Sequence, residues 1–303
     1  MKRAIICILW LAMAGWFAAA QEVVPYDVKE DLIYSEVHGT GLLMDLYIPK
    51  EKKNGLGLID VVSGAWFSDR GKINDHRQAG LYDVFCSKGY TVFAIRPGSV
   101  SKYGGEEMLQ HVKRGIRYVK VHAADYGVDP ERLGITGASA GAHLATLAVV
   151  TAEDGTPDAK NPLDRLSTRV KAAGVFFPPT DFLDWNGGRP NFDRIGYLLF
   201  PGGIQGHSED EINAQSEKLS PARRVSGPTP PFLLIHGDAD DMVPLQQSQK
   251  MVAAVQAAGG SAELIIKPGG GHPWPTIREE VVRLADWFDK QLLVTHVVAA
   301  PAG

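Results

Sequence analysis

The chain has 303 residues, 45% hydrophobic and 22% charged, with a formal charge of −4. That is enough apolar material for one large core or two small ones. Its scattered basic residues do not make a nucleic-acid-binding surface. Residues 1–20 read as a secretory signal peptide: Lys2 and Arg3, an apolar run from Ala4 to Phe17, and Ala18-Ala19-Ala20 before Gln21. A secreted or periplasmic protein is expected, with no membrane attachment once the signal is cleaved. Losing Lys2 and Arg3 leaves 29 basic against 35 acidic residues, a net charge of −6. Cys7 leaves with the signal, so Cys86 alone remains. It cannot form an internal disulfide, and its apolar neighbours Leu81, Val84 and Phe85 predict a buried thiol.

Residues 21–30 read as a loose leader. Leu32–His38 and Leu42–Ile48 read as strands joined by the turn His38-Gly39-Thr40-Gly41, and should be antiparallel neighbours. In the second, Leu42, Met44, Leu46 and Ile48 alternate with Leu43, Asp45 and Tyr47, which predicts one wetter face. Leu58–Val62 is an apolar strand broken only by Asp60, leading into Ser63-Gly64-Ala65-Trp66. Asp75–Lys88 has helical spacing and Gly89 as its stop. Tyr90–Ile95 is a strand and Glu106–Tyr126 a long helix. Leu133 and Ile135 mark the next strand, followed by Gly137-Ala138-Ser139-Ala140-Gly141 and an Ala/Leu-rich helix.

Thr151–Arg169 reads as a surface loop or short helix, and Val170–Phe177 as a strand. Residues 178–230 are rich in Gly, Pro and aromatics, with a helical piece near Glu209–Glu217. They read as a cap over the sheet's carboxyl edge. Phe232–Ile235 is a strand ending in His236-Gly237-Asp238-Ala239-Asp240-Asp241; Pro244–Ala258 is a helix and Glu263–Lys267 the last strand. Pro268-Gly269-Gly270-Gly271-His272 precedes the closing helix, Thr276–Leu292, and residues 294–303 read as a flexible tail. Alternation of strands and helices predicts an α/β fold: a mostly parallel, eight-stranded sheet covered on both faces, one domain over 21–293 with the cap at about 178–230.

Gly-x-Ser-x-Gly between a strand and a helix is a nucleophile elbow. In an open α/β sheet, ligands bind beyond the strands' carboxyl ends. Ser63-Gly64-Ala65, Ser139, the Asp238/Asp240/Asp241 loop and His272 all fall there. A serine needs a base within hydrogen-bond reach, and a histidine base needs a carboxylate to orient it. His272 is the candidate base. The three aspartates are equivalent at this level, and a Ca²⁺ loop is the competing reading of them. Ala140 N–H and a donor from Gly64 or Ala65 would hold an oxyanion. His143 reads as a structural hydrogen-bond partner and His236 as a shaper of the acid loop. Trp66, Trp274, Phe182 and Trp185 are candidates for the pocket wall. No metal or organic cofactor is called for.

These residues resemble the α/β-hydrolase superfamily over roughly residues 30–293. The resemblance is to secreted esterases related to acetyl esterases, feruloyl esterases and the catalytic domain of prolyl oligopeptidases. Tyr126-Gly-Val-Asp-Pro-Glu-Arg-Leu-Gly-Ile-Thr-Gly-Ala-Ser-Ala-Gly-Ala-His-Leu-Ala resembles that branch's elbow, His236-Gly-Asp-Ala-Asp-Asp-Met-Val-Pro its acid loop, and Gly271-His272 its base loop. The acid loop's fifth residue implies Asp240 as the acid. Val62-Ser63-Gly64-Ala65 stands before Trp66 where the branch commonly has His-Gly-Gly-Gly, and Ala142 replaces a common glycine. The resemblance implies a secreted serine hydrolase that cleaves carboxylic esters, small or polysaccharide-linked, through Ser139, Asp240 and His272. An exopeptidase with the same groups, or a non-catalytic binding module on this scaffold, are the alternatives.

Overall fold

The computed structural model describes residues 24–293. The expected signal peptide and tail lie outside the described residues. One sheet organises the domain: β1 (Tyr26–Val37), β2 (Thr40–Pro49), β3 (Gly57–Val61), β4 (Thr91–Ile95), β5 (Leu133–Ala138), β6 (Ala172–Phe176), β7 (Phe232–Gly237) and β8 (Ala262–Lys267). Their order is β1-β2-β4-β3-β5-β6-β7-β8. β1 pairs antiparallel with β2 and β2 with β4; every pairing from β4 to β8 is parallel. After β3 the chain turns to one side for β4 and returns to the other for β5. This reversal opens a crevice beyond the carboxyl ends of β3 and β5. It is the α/β-hydrolase architecture.

The helices among the described residues are α1 (Arg70–Gln78), α2 (Leu81–Ser87), α3 (Gly105–His122), α4 (Ala140–Val150), α5 (Phe192–Leu199), α6 (Glu209–Lys218), α7 (Pro221–Arg224), α8 (Leu245–Ala257) and α9 (Ile277–Leu292). None is long and apolar enough to cross a membrane. They bury the two sheet faces in separate cores. Met108, Val112, Ile116, Leu144, Leu147 and Met251 pack with Ile59, Ile135 and Leu234 on one face. Tyr82, Phe85, Leu284 and Phe288 pack with Leu58, Val92 and Leu233 on the other. β3, β4, β6 and β7 are buried along their whole length, as parallel strands covered on both faces must be.

Three expectations change. The supposed leader is strand from Tyr26: its backbone pairs Tyr26 with Pro49 and Asp27 with Ile48, while Asp27, Lys29, Glu30 and Asp31 stay exposed at the sheet edge. Charges suit an edge strand but erase the alternating pattern that reveals one. The wetter face of β2 is dry. Asp45 is fully buried, bridged by Arg70 and Arg96, and Tyr47 stacks on Tyr82 with ring centroids 3.8 Å apart. The helix expected over 75–88 is two, α1 and α2, because Gly80 takes the left-handed conformation between them (φ 79°). Cys86 is buried in α2, and burial pushes its thiol pKa up. Residues 178–230 carry α5, α6 and α7. Asp181 ties the start of this segment to its own α7 through Arg223 (2.7 Å) and to α8 through Lys250 (2.6 Å).

Candidate active site

The turn after β5 sets the geometry. Ser139 has φ 53° and ψ −118°, a conformation that L-residues rarely hold. A Cβ on Gly137 would stand 2.7 Å from the Gly141 carbonyl carbon, and one on Gly141 would overlap the Val61 carbonyl oxygen. Glycine is therefore demanded on both sides of the serine. The strain is held by three backbone bonds: Ser139 N–H to Phe176 O (3.0 Å), Gly141 N–H to Ser63 O (3.0 Å) and His143 N–H to Ser139 O (2.9 Å). The N-terminus of α4 lies directly behind the hydroxyl.

The loop after β8 brings His272 over this turn. Its Nε2 is 2.9 Å from Ser139 Oγ, and its Nδ1 is 2.6 Å from Asp240 Oδ2. Asp240 is fixed in turn. Its Oδ1 accepts the N–H groups of Met242 and Val243, both at 2.9 Å. His236 Nε2 lies 3.3 Å from its Oδ2. Burial alone would raise the Asp240 pKa; the bonds from His236, His272 and Val243 outweigh it and hold the carboxyl well below the usual carboxylate range. His236 is itself locked by Ser248 Oγ (2.7 Å) and Val243 O (2.9 Å). The neighbouring aspartates go elsewhere: Asp238 accepts the Gly269 N–H, and Asp241 lines a cleft wall.

The segment after β3 is a two-residue turn. Gly64 and Phe67 exchange both backbone hydrogen bonds at 2.9 Å, with Ala65 (φ 48°) and Trp66 (φ 59°) left-handed between them. This is type I′ geometry, which ordinarily takes Asn-Gly. It corrects one expectation: the Gly64 N–H is spent on Phe67 and cannot serve an oxyanion. The N–H groups of Ala65 and Ala140 have no backbone acceptor among the described residues, and both residues line the cleft at Ser139. Trp66 is braced by His143, whose Nδ1 accepts the indole N–H at 3.0 Å. His143 Nε2 bonds Leu219 O at 2.7 Å. Burial lowers the His143 pKa to about 4, only partly offset by the Leu219 carbonyl, so this ring is neutral.

Ser139 stands between two clefts. One, about 450 Å³, is walled by Trp66, Trp185, Pro179 and Ile195. The other, about 830 Å³, runs past His272 and Phe177 to Asp69, Lys72, His76 and Gln78 on and before α1. Two of the four expected wall residues are absent from both. Phe182 is fully buried, wedged behind Trp66 and under Trp185. Trp274 is buried beneath Phe177, its indole N–H given to Glu280 at 2.8 Å. Both serve as core, because each ring has a complete set of partners away from the opening. A further groove of about 560 Å³ opens at the amino edge of the sheet and contains none of these groups.

The structure also contains a pair absent from the sequence reading. Asp60, fully buried in β3, bonds His76 Nδ1 (2.8 Å) and Tyr82 OH (3.1 Å). The signal was visible: a lone carboxylate inside an apolar strand needs a partner. Nothing in the spacing pointed to His76.

The BD-FAE family model matches residues 44–255, which include Ser139 and Asp240 and stop short of His272. The chain is 30% identical over 237 residues to the esterase LipQ of Mycobacterium tuberculosis, covering 74% of this chain and 52% of that protein. It is 26% identical to the isoprenylcysteine alpha-carbonyl methylesterase ICME of Arabidopsis thaliana, covering 89% and 62%. This chain spans about half the length of the curated relatives it matches. A truncated form of a carbohydrate esterase from gut microbiota superposes with a TM-score of 0.76 at 28% identity, covering 90% of this chain and 99% of that one. Family model and architecture agree: the chain belongs to the BD-FAE family and has the α/β-hydrolase fold.

Proposed function

We propose that this protein hydrolyses carboxylic esters through an acyl-enzyme on Ser139. One observation carries the reading: Asp240, His272 and Ser139 stand in an unbroken hydrogen-bonded line at the junction of two clefts. Esterases among the relatives support it. His272 Nε2 takes the Ser139 proton as Oγ adds to the ester carbonyl, while Asp240 stabilises the imidazolium. The N–H groups of Ala65 and Ala140 receive the oxyanion; such a donor is worth roughly 3 kcal/mol of barrier. His272 returns the proton to the departing alcohol, and water then releases the acid by the same steps.

The alcohol must leave beside the group that protonates it. The wide cleft on the His272 side therefore takes the alcohol, and the narrower, aromatic cleft takes the acyl group. A carbohydrate esterase among the structural neighbours supports a sugar-linked ester, polysaccharide or small. An exopeptidase needs free carboxylates to capture a peptide N-terminus. Asp181 and Asp184 are engaged by Lys250 and Glu209 by Arg189, while Asp210 is exposed on α6 and lines neither cleft at Ser139, which favours the ester reading over the peptidase.

A fluorophosphonate probe should label the wild-type protein and spare Ser139→Ala; equal labelling of both would remove Ser139 from the role. Faster turnover of an aminoacyl p-nitroanilide than of p-nitrophenyl acetate would favour the peptidase. The reading includes secretion, on the strength of residues 1–20. Mass spectrometry of the exported protein should find an N-terminus at Gln21, and an intact Met1 would exclude cleavage.

A further inference from the structure

The wide cleft contains an imidazole that the reaction above leaves unused. His76 projects from α1, its side chain only 13% exposed. Its Nδ1 is turned inward, 2.8 Å from Asp60 Oδ2 and 3.0 Å from Oδ1. Its Nε2 has no hydrogen-bond partner among the described residues, yet is not among the sealed-off polar atoms. The ring lines the same cleft as Ser139 and His272. The Asp60 carboxylate is completely buried, and Tyr82 OH is its other donor. A carboxylate so placed needs strong donors, so the proton on Nδ1 is fixed and Nε2 is aimed outward.

The arrangement repeats the logic of His272 on Asp240, with one change. Nε2 meets open space where a substrate's alcohol half must pass, and no serine. Burial disfavours the charged ring, but the facing Asp60 carboxylate outweighs it and pushes the His76 pKa up. Nε2 is the ring atom left to bond a hydroxyl group in the cleft, as acceptor on a neutral ring and as donor on a charged one. Around it the wall mixes polar groups, Lys72 paired with Asp75 at 2.9 Å and Gln78 nearby, with the apolar side chains of Phe67, Phe177 and Ile277. Such a wall suits a sugar, which offers hydroxyl groups and an apolar ring face together.

We propose that His76, oriented by Asp60, is a specificity-determining residue that hydrogen-bonds through Nε2 to a hydroxyl group of a polyhydroxylated leaving alcohol. This rests on the esterase reading and assigns a residue to its alcohol side. The test compares two acetate esters: a monoacetylated methyl β-xylopyranoside and p-nitrophenyl acetate. Both give the same acetyl-enzyme, so a difference in kcat/KM arises before the alcohol has left. His76→Asn keeps an amide N–H where Nδ1 stood, for Asp60, and removes the outward Nε2. The doubly neutral pair Asp60→Asn with His76→Phe removes the buried charge as well, should the single change fold poorly.

The expected result, in either variant, is a loss on the sugar ester roughly tenfold greater than on the aryl ester, the size of one hydrogen bond. Equal losses on both esters would make the pair merely structural and overturn the proposal. So would an unaltered ratio in a folded variant. A wild-type protein that turns over neither ester, and takes no fluorophosphonate, would bring down the esterase reading and this assignment together; one that is labelled, with an unchanged ratio, would bring down this assignment alone.

Discussion

Two aspartate–histidine couples face one cleft. Asp240 with His272 sits on loops after β7 and β8; Asp60 with His76 joins the middle of β3 to α1. Each carboxylate is buried and each ring turns Nδ1 inward. What separates them is the third partner. His272 Nε2 meets Ser139 Oγ at 2.9 Å, whereas His76 Nε2 meets the open cleft. A buried Asp–His pair is thus a way of aiming a ring nitrogen, and what stands at the far nitrogen decides its chemistry. Loops are the better mount for a base that must reach across to another strand, and a helix beside the strand is the better mount for a fixed wall.

The contrast can be broken most forcefully at the far nitrogen. Ser139→Ala or His272→Ala should cut kcat on p-nitrophenyl acetate by roughly 10⁴- to 10⁶-fold, and His76→Asn should cost about tenfold or less. A comparable loss at His76 would erase the distinction. The carboxylates come next. Asp240→Asn should lower kcat by roughly 10³- to 10⁴-fold with the fold intact, since the ring loses its orienting anion. Asp60→Asn should act far less on kcat and show itself in thermal unfolding, having disturbed a buried pair.

A smaller effect separates His76 from the brace His143 by pH. The folded His143 pKa is depressed from 6.5 to about 4, so the unfolded chain binds its proton first. Its contribution is whole above 6.5 and lost as pH falls toward about 4, on the order of 3 kcal/mol. The folded His76 pKa is raised, so its contribution is whole below 6.5 and lost as pH climbs through the higher folded value. Chemical denaturation between pH 4 and 8 should show His143→Phe flattening the acid slope and His76→Asn the neutral-to-alkaline one. An unchanged acid slope in His143→Phe would refute the neutral-brace reading.

Local sequence carries the elements whose causes are local. Gly137 and Gly141 around Ser139 announce a turn that only glycine permits. Apolar runs such as Phe232–Ile235 announce strands buried on both faces. The three residues that meet in space, Ser139, Asp240 and His272, could all be named, because each sits at a strand's carboxyl end where the topology collects its loops. Choosing Asp240 over Asp238 and Asp241 took the resemblance to known acid loops. The distances then followed from where the chain places each carboxylate.

Tertiary structure decided whatever depends on a distant partner. β1 is a strand because β2 offers it a backbone, and its own charged residues gave no alternation to read. Asp45 is dry because two arginines from elsewhere in the chain cover it. Gly64 is out of contention as a donor because Phe67 takes its N–H, and Phe182 and Trp274 are core because their rings already have neighbours on every side. The pairing of Asp60 with His76 belongs here too. A buried charge demands compensation, but which side chain supplies it is fixed only when β3 and α1 come together.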